Sequence, residues 1–241
     1  MTYGIFARVY DQLMDESLFL KWRDYTSRNI PNNQANLLEL GCGNGELGIL
    51  LKKMGYSIEG LDLSAEMLTL AKEKQEDAGV HFPLIHGDMR DLSVFGSYDG
   101  VISYCDTLCY LPSPEDLKTV FKEVYAHLNQ EGIFLFDVFT TDYIEKLDGY
   151  SYHDEIPGLV FVWDSCQGEH KYSIEHELSF FEELADGSYK RHDELHEERT
   201  YPLDFYLRQL QEAGFSNIEV TADFDQEVSE GNMRWFFKAQ K

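Results

Sequence analysis

Four glycines fall within eight positions of the stretch "NLLELGCGNGELG" (residues 36–48): Gly41, Gly43, Gly45 and Gly48. Glycine is the residue used where backbone must bend to positive φ or approach a ligand closely. The loop follows an apolar run and opens a helical segment, whose N-terminus attracts an anion. It fits two registers. Gly41-Cys42-Gly43-Asn44-Gly45 is a G-x-G-x-G loop, and Gly43, Gly45 and Gly48 fit the dinucleotide pattern G-x-G-x-x-G. Asp62 stands about twenty residues further on, where an acid accepts hydrogen bonds from ribose hydroxyls in either register. Three more residues separate the two. Asp88 offers an acceptor to an adenine amino group, and Met89 offers a side chain to the ring face. Glu39, two residues before the glycines, suits a ligand's amino group, directly or through water. A pyrophosphate has no use for a carboxylate there; an amino acid does.

These residues need a scaffold that brings them to one edge. From Asn36 to Phe139 the sequence alternates apolar runs (36–40, 56–61, 80–85, 98–104 and 132–139) with helical segments (45–54, 64–77 and 114–128). The last helix is the clearest. Ser113 can cap it, Pro114 suits its first turn, Glu115 and Asp116 favour its positive end, and Leu117, Val120, Phe121, Val124 and Leu128 recur at helical spacing. Such alternation predicts a parallel sheet with helices on both faces. Residues 150–200 instead read as antiparallel strands, with "ADGS" (185–188) as a turn. A helix from about Pro202 to Ala213 stops at Gly214. Two strands (217–224 and 233–240) then end the chain with no helix between them, so they pair antiparallel. The expected fold is α/β: a doubly wound, mostly parallel seven-stranded sheet with an antiparallel terminal edge hairpin and an antiparallel β insertion. Three parts are expected: a helical segment over 1–35 covering the cofactor site, a core of 36–141 and 201–241, and the insertion 142–200 as lid or substrate wall.

"LLELGCGNG", "GLDLSAEML", "HGDMRDL" and "YDGVISYCDTLCYL", in this order and spacing, resemble the class I S-adenosylmethionine-dependent methyltransferases. The resemblance covers roughly residues 36–140 and the terminal hairpin, which is similar to that family's reversed last strand. "FARVYDQLMD" and the β insertion look more narrowly like the small-molecule N-methyltransferases, near the glycine and sugar-amine enzymes. The resemblance implies S-adenosylmethionine as cofactor and S-adenosylhomocysteine as product. It also implies that Gly41, Cys42, Gly43 and Gly45 wrap the methionine moiety and that Asp62 holds both ribose hydroxyls, with Leu63 beside the adenine. Asp88 would take the adenine amino group, Met89 would lie near the ring, Cys105 would line the methionine side through its backbone, and Tyr10 would reach over the cofactor. The implied reaction is an in-line displacement for which the protein supplies alignment, proximity and exclusion of water. A base is needed only if the nucleophile arrives protonated. The sequence presents no triad and assigns no catalytic residue.

Composition narrows the acceptor. Forty-four acids against twenty Lys and Arg give a net charge of −24. Such a surface repels a phosphate backbone, and "YCDTLCYL" lacks the Asn/Asp-Pro-Pro-aromatic motif of enzymes that methylate amino groups of DNA bases. A small molecule is therefore expected, with no nucleic acid and no membrane. Apolar runs are too short to span a bilayer, and the N-terminus shows no signal-peptide pattern. Cys42, Cys105, Cys109 and Cys166 form no CxxC pair and read as reduced, mostly buried thiols of a cytoplasmic protein. The segment 150–200 holds 13 acids, 4 Lys and Arg and five of the eight histidines. Its favoured reading is a charged outer face over an aromatic inner one; the alternative is an acidic, aromatic wall for an amine, with Tyr152 or Trp163 facing the cation. On a strand, His192 and His196 stand roughly 13 Å apart, too far for one ion, so no metal is expected. Three other readings stay open: a methyltransferase acting on a protein or RNA, a non-catalytic protein that binds an adenosine ligand, and an NAD-linked oxidoreductase, which leaves Glu39, Asp88, Met89 and the hairpin unexplained.

Overall fold

The computed structural model describes residues 16–241. Helix α1 (Glu16–Asn29) leads into alternating strands and helices: β1 (Asn36–Leu40), α2 (Glu46–Met54), β2 (Ser57–Asp62), α3 (Ala65–Ala78), β3 (Leu84–His86) and β4 (Tyr98–Ser103). A 3₁₀ turn (Thr107–Tyr110), α4 (Pro114–His127), β5 (Leu128–Phe139) and α5 (Thr141–Lys146) follow. Four strands form the insertion: β6 (Ser151–Ile156), β7 (Leu159–Gln167), β8 (Ser173–Glu183) and β9 (Tyr189–Arg199). The chain closes with α6 (Leu203–Ala213), β10 (Ser216–Ala222) and β11 (Arg234–Gln240).

The main sheet runs β10-β11-β5-β4-β1-β2-β3. Pairings from β5 through β3 are parallel, while β11 runs antiparallel to both β5 and β10. This is the expected mostly parallel seven-stranded sheet with a reversed edge. Its strands are buried on both faces, so adjacent residues serve opposite cores. Leu38, Val101, Phe134, Phe136 and Phe237 pack on one side with α4 and α6; Leu37, Ile102, Leu135 and Phe236 pack on the other with α1 and α2. Helix α4 forms as its sequence dictates, with Ser113 Oγ accepting from Asp116 N, Pro114 in the first turn, and Leu117, Val120, Phe121 and Val124 buried.

Two strands depart from the apolar runs. The third shrinks to Leu84–His86 because Pro83 has no N–H to donate, and α3 claims the preceding residues instead. Val80 N donates to Gln75 O and Phe82 N to Gln75 Oε1. The fifth lengthens to Leu128, opposite Tyr98, with a register shift near Glu131, whose φ is +64°. Helix α5 is an addition that the sequence did not announce; Thr140 Oγ1 caps it by accepting from Tyr143 N. Of the four thiols, Cys42 and Cys109 are buried and Cys105 half-buried, but Cys166 is exposed. It lies on the outer face of β7 because the inner face is claimed by its neighbour Ser165, which pairs with His176. Among the described residues no helix is long and apolar enough to cross a membrane.

Candidate active site

The strand order reverses between β1 and β4, and ligands of open α/β sheets bind outside the carboxyl ends of the strands at that point. A cavity of ≈ 460 Å³ opens there, lined on one side by Glu39, Gly41, Gly43, Asp62, Asp88 and Cys105. Cys42, Leu63 and Met89 line it too, whereas Gly45 sits one step back as the N-cap of α2. Tyr10 lies outside the described residues.

The loop is held from below. Gly41 N and Cys42 N both donate to Leu61 O, and Gly43 N donates to Asp62 Oδ2 at 2.7 Å. Gly41, Gly43 and Gly45 have φ of +69°, +51° and +74°, which L side chains rarely adopt. Their surroundings differ. A Cβ on Gly41 would stand 2.3 Å from Thr107 Cγ2, whereas one on Gly43 would meet nothing within 4 Å. Gly41 is therefore required by the protein's own packing, and Gly43 leaves room for a ligand against bare backbone.

Asp62 is fixed before any ligand arrives, accepting from Gly43 N through one oxygen and from Ser64 N, at 2.8 Å, through the other. Burial raises its pKa above the usual carboxylate range while those backbone donors oppose the rise. Glu39 differs. It is 6% exposed, its Oε2 has no partner among the described residues, and burial followed by repulsion from Asp62 pushes its pKa up to about 8. A buried carboxyl that nothing satisfies costs stability, and a ligand ammonium beside it would remove that cost. Asp88 is held by Arg90, whose Nη2 stands 2.5 Å from Oδ2, and Arg90 also reaches Asp116 at 2.8 Å. That guanidinium keeps the Asp88 pKa below its ordinary value. Leu63 is 60% exposed on the rim.

The cavity's other half holds Cys105, expected there, beside Asp106, Asp137 and Arg234, for which the sequence offers little sign. Cys105 and Asp106 are consecutive non-glycine residues at φ +57° and +51°, a strained turn on the cavity wall. It is held by Asp137, which is fully buried and accepts from Asp106 N at 2.8 Å and from Trp22 Nε1 at 2.7 Å. Burial, partly opposed by Arg234, raises the Asp137 pKa to about 6. Arg234 pairs with Asp106, lies 3.9 Å from Asp137, and stacks 4.6 Å over the Phe139 ring. An acid within the apolar run "GIFLFDVF" was the one signal available for this network. Its partners lie 31 and 115 positions away along the chain.

The insertion's inner face covers this half. Trp163, His176, Leu178, His196 and Glu198 line the cavity, and their strands are anchored by Thr200 Oγ1 donating to Phe139 O at 2.6 Å. Trp163 Nε1 donates to His176 Nδ1 at 3.1 Å. The indole is a donor only, so His176 keeps its proton on Nε2, which faces Glu198 Oε1 at 3.6 Å. Burial lowers the His176 pKa to about 4, leaving it neutral. Glu198 is 5% exposed and its Oε2 lacks a partner among the described residues. The outer face carries Asp164, Glu175, Glu177, Arg191 and Asp193, so the charged-outside reading describes it well. The inner face, however, is not simply aromatic: it buries two histidines and a glutamate among Phe161, Trp163 and Phe180.

Comparison with known proteins places this arrangement among related chains. A family profile described as a methyltransferase domain matches residues 37–132. A candidate methyltransferase of Bacillus subtilis (strain 168), YqeM, is 38% identical, with 100% of this chain and 98% of that protein covered. A malonyl-[acyl-carrier protein] O-methyltransferase of Priestia megaterium is 33% identical over 72% of this chain and 62% of its own length. A glycine/sarcosine N-methyltransferase of Aphanothece halophytica is 25% identical over 85% and 75%. Among solved structures, an S-adenosylmethionine-dependent methyltransferase from Clostridium acetobutylicum superposes with a TM-score of 0.84 at 26% identity, covering 99% of this chain and 98% of that one.

Proposed function

The chain belongs to the class I S-adenosylmethionine-dependent methyltransferases, and on that premise we propose that it methylates a small-molecule amine. The observation that carries the proposal is the single cavity shared by the glycine loop and the insertion's inner face, a size suited to a cofactor and a small acceptor. In this reading Gly41, Cys42, Gly43 and Gly45 wrap the methionine moiety, with Cys105 opposite them through its backbone. Glu39 receives the amino group, which its unpartnered buried oxygen fits. Asp62 holds the ribose hydroxyls, Leu63 and Met89 flank the adenine, and Asp88, steadied by Arg90, receives the adenine amino group. The bound sulfonium supplies an already activated methyl group. The protein's share is alignment and exclusion of water, supported by the insertion sheet that roofs the cavity.

The charge of the cavity favours an amine over an anionic acceptor. Among the described residues the two arginines lining the cavity are already paired, Arg90 with Asp88 and Asp116 and Arg234 with Asp106. A carboxylate acceptor, the kind of group an O-methyltransferase of malonyl esters modifies, would meet acids with no free cation among the described residues to balance it.

Titration calorimetry with S-adenosylmethionine, S-adenosylhomocysteine and NAD tests the cofactor reading. The first two should bind at micromolar concentration and NAD should not. Asp62→Ala should weaken binding by about 1.5–3 kcal/mol, the worth of hydrogen bonds to a charged group. Binding of NAD alone would overturn the assignment. Turnover is then read on a panel of aliphatic, amino-acid and amino-sugar amines, and cofactor binding without methylation of any of them would move the protein to the non-catalytic class.

A further inference from the structure

We infer that Glu198, with Trp163 beside it, forms the subsite that takes the ammonium form of the acceptor and removes its proton. The inference rests on the proposed methyl transfer to an amine. It starts from a carboxyl in an unfavourable state: Glu198 lines the cavity, is 5% exposed, and has no hydrogen-bond partner on Oε2 among the described residues. Buried polar groups are nearly always satisfied, so an orphan on a cavity wall points to a partner supplied from outside the chain.

The neighbours say what that partner is. Tyr110 hydrogen-bonds the carboxyl, and neutral His176 faces Oε1 through Nε2 at 3.6 Å, while Oε2 is left for a ligand. Trp163 is tied through Nε1 to Ser165 Oγ and His176 Nδ1, both at 3.1 Å, which fixes its ring at the cavity wall. Tyr150 stands edge-on to that ring at 6.1 Å. A carboxylate together with aromatic faces is a receptor for a cation. The Arg234 guanidinium on the cavity wall is claimed by Asp106.

A protonated amine has no lone pair with which to attack a methyl group. In the step inferred here the arriving ammonium favours the ionised carboxyl, so the Glu198 proton leaves to solvent as the cation binds. One ammonium N–H bond then breaks, an O–H bond forms at Glu198 Oε2, and the electron pair stays on nitrogen as the nucleophile. Burial, reinforced by Asp106, holds the Glu198 carboxyl well above the usual carboxylate range. That brings its proton affinity closer to that of an amine, which favours transfer between them. The proton leaves to solvent when product departs.

The test uses three probes of one size and different charge, n-propylammonium, n-propanol and propionate, titrated into the full chain saturated with S-adenosylhomocysteine. Wild type should bind n-propylammonium at least tenfold more tightly than the other two. Glu198→Gln, which keeps the side chain's shape, should bind S-adenosylhomocysteine within twofold of wild type and lose the cation preference. Trp163→Phe should keep that preference, and Trp163→Ala should reduce it. Equal binding of all three probes by wild type, or a preference retained in Glu198→Gln, overturns the inference. Turnover separates the two readings. Amine methylation at full rate by Glu198→Gln leaves the proposed function standing and removes Glu198 from it. A cation preference that depends on Glu198, with no amine methylated by wild type, keeps the subsite and removes the amine reaction. In the catalytic reading, kcat/KM for amines should fall about 100-fold in Glu198→Gln.

Discussion

Glu39 and Glu198 present the same physical problem on the walls of one cavity: each is a buried carboxyl with an oxygen that no described residue satisfies. For Glu39 the consequence is a proton linkage. At pH 6.5 the free protein holds the Glu39 proton, because its pKa is about 8. An ammonium placed beside it favours the ionised form, so binding of S-adenosylmethionine at pH 6.5 should release about one proton. Calorimetry in buffers of different ionisation enthalpy reads that number directly, and Glu39→Gln should bring it close to zero. The same residue shapes the free protein's stability. A carboxyl whose folded pKa is raised contributes stability that is complete below its unfolded pKa and is lost as pH rises through the folded value. Thermal stability of the ligand-free protein should therefore decline between about pH 4.5 and pH 8, and less steeply in Glu39→Gln. An unchanged pH slope in the variant would remove Glu39 as its source.

At the scale of elements, the site depends on joints between segments distant in sequence. Asp137, near the end of β5, joins three of them: α1 through Trp22, the strained Cys105–Asp106 turn after β4, and the start of β11 through Arg234. Trp22→Phe keeps the ring's apolar bulk but removes the donor to a fully buried carboxylate oxygen. It should cost about 1–3 kcal/mol in urea unfolding, and it should weaken S-adenosylmethionine binding through the loosened turn. A loss of stability without any change in affinity would confine Asp137 to a structural role. Individual elements were largely legible beforehand. The cap and apolar spacing of α4 identified it, and the lack of a helix between the last two strands announced their antiparallel pairing. The shortened third strand was less legible, because a side chain of α3 competes for its backbone. The joints at Asp137 left no local trace, since nothing in "GIFLFDVF" says which distant donors will meet it.

At the scale of the molecule, a net charge of −24 acts on everything at once. Self-repulsion of that size destabilises the compact state, and salt screens it. Raising sodium chloride from about 20 mM, where the Debye length is tens of ångströms, to about 0.5 M should raise the midpoint of thermal unfolding by several degrees. An unchanged or lower midpoint would show that paired charges, rather than repulsion, dominate the surface. The acidity also extends into the cavity, where the arginines are already committed to acids, and the acceptor's charge is argued from that.

What the sequence determined by itself was everything that depends on local order: the glycine loop between a strand and a helix, the acids Asp62 and Asp88 that follow the next two strands, Glu39 before the loop, and the reversed terminal edge. Backbone conformation, capping and strand alternation are set by near neighbours, so their traces are written contiguously. The tertiary structure alone decided which face of the insertion looks inward, that His176 and Glu198 meet at 3.6 Å across β8 and β9, and that Asp106, Asp137 and Arg234 share one buried network. Those placements follow from strand register and from the closure of the sheet over the cavity. A one-residue slip in register would turn Glu198 out to solvent with no change in sequence.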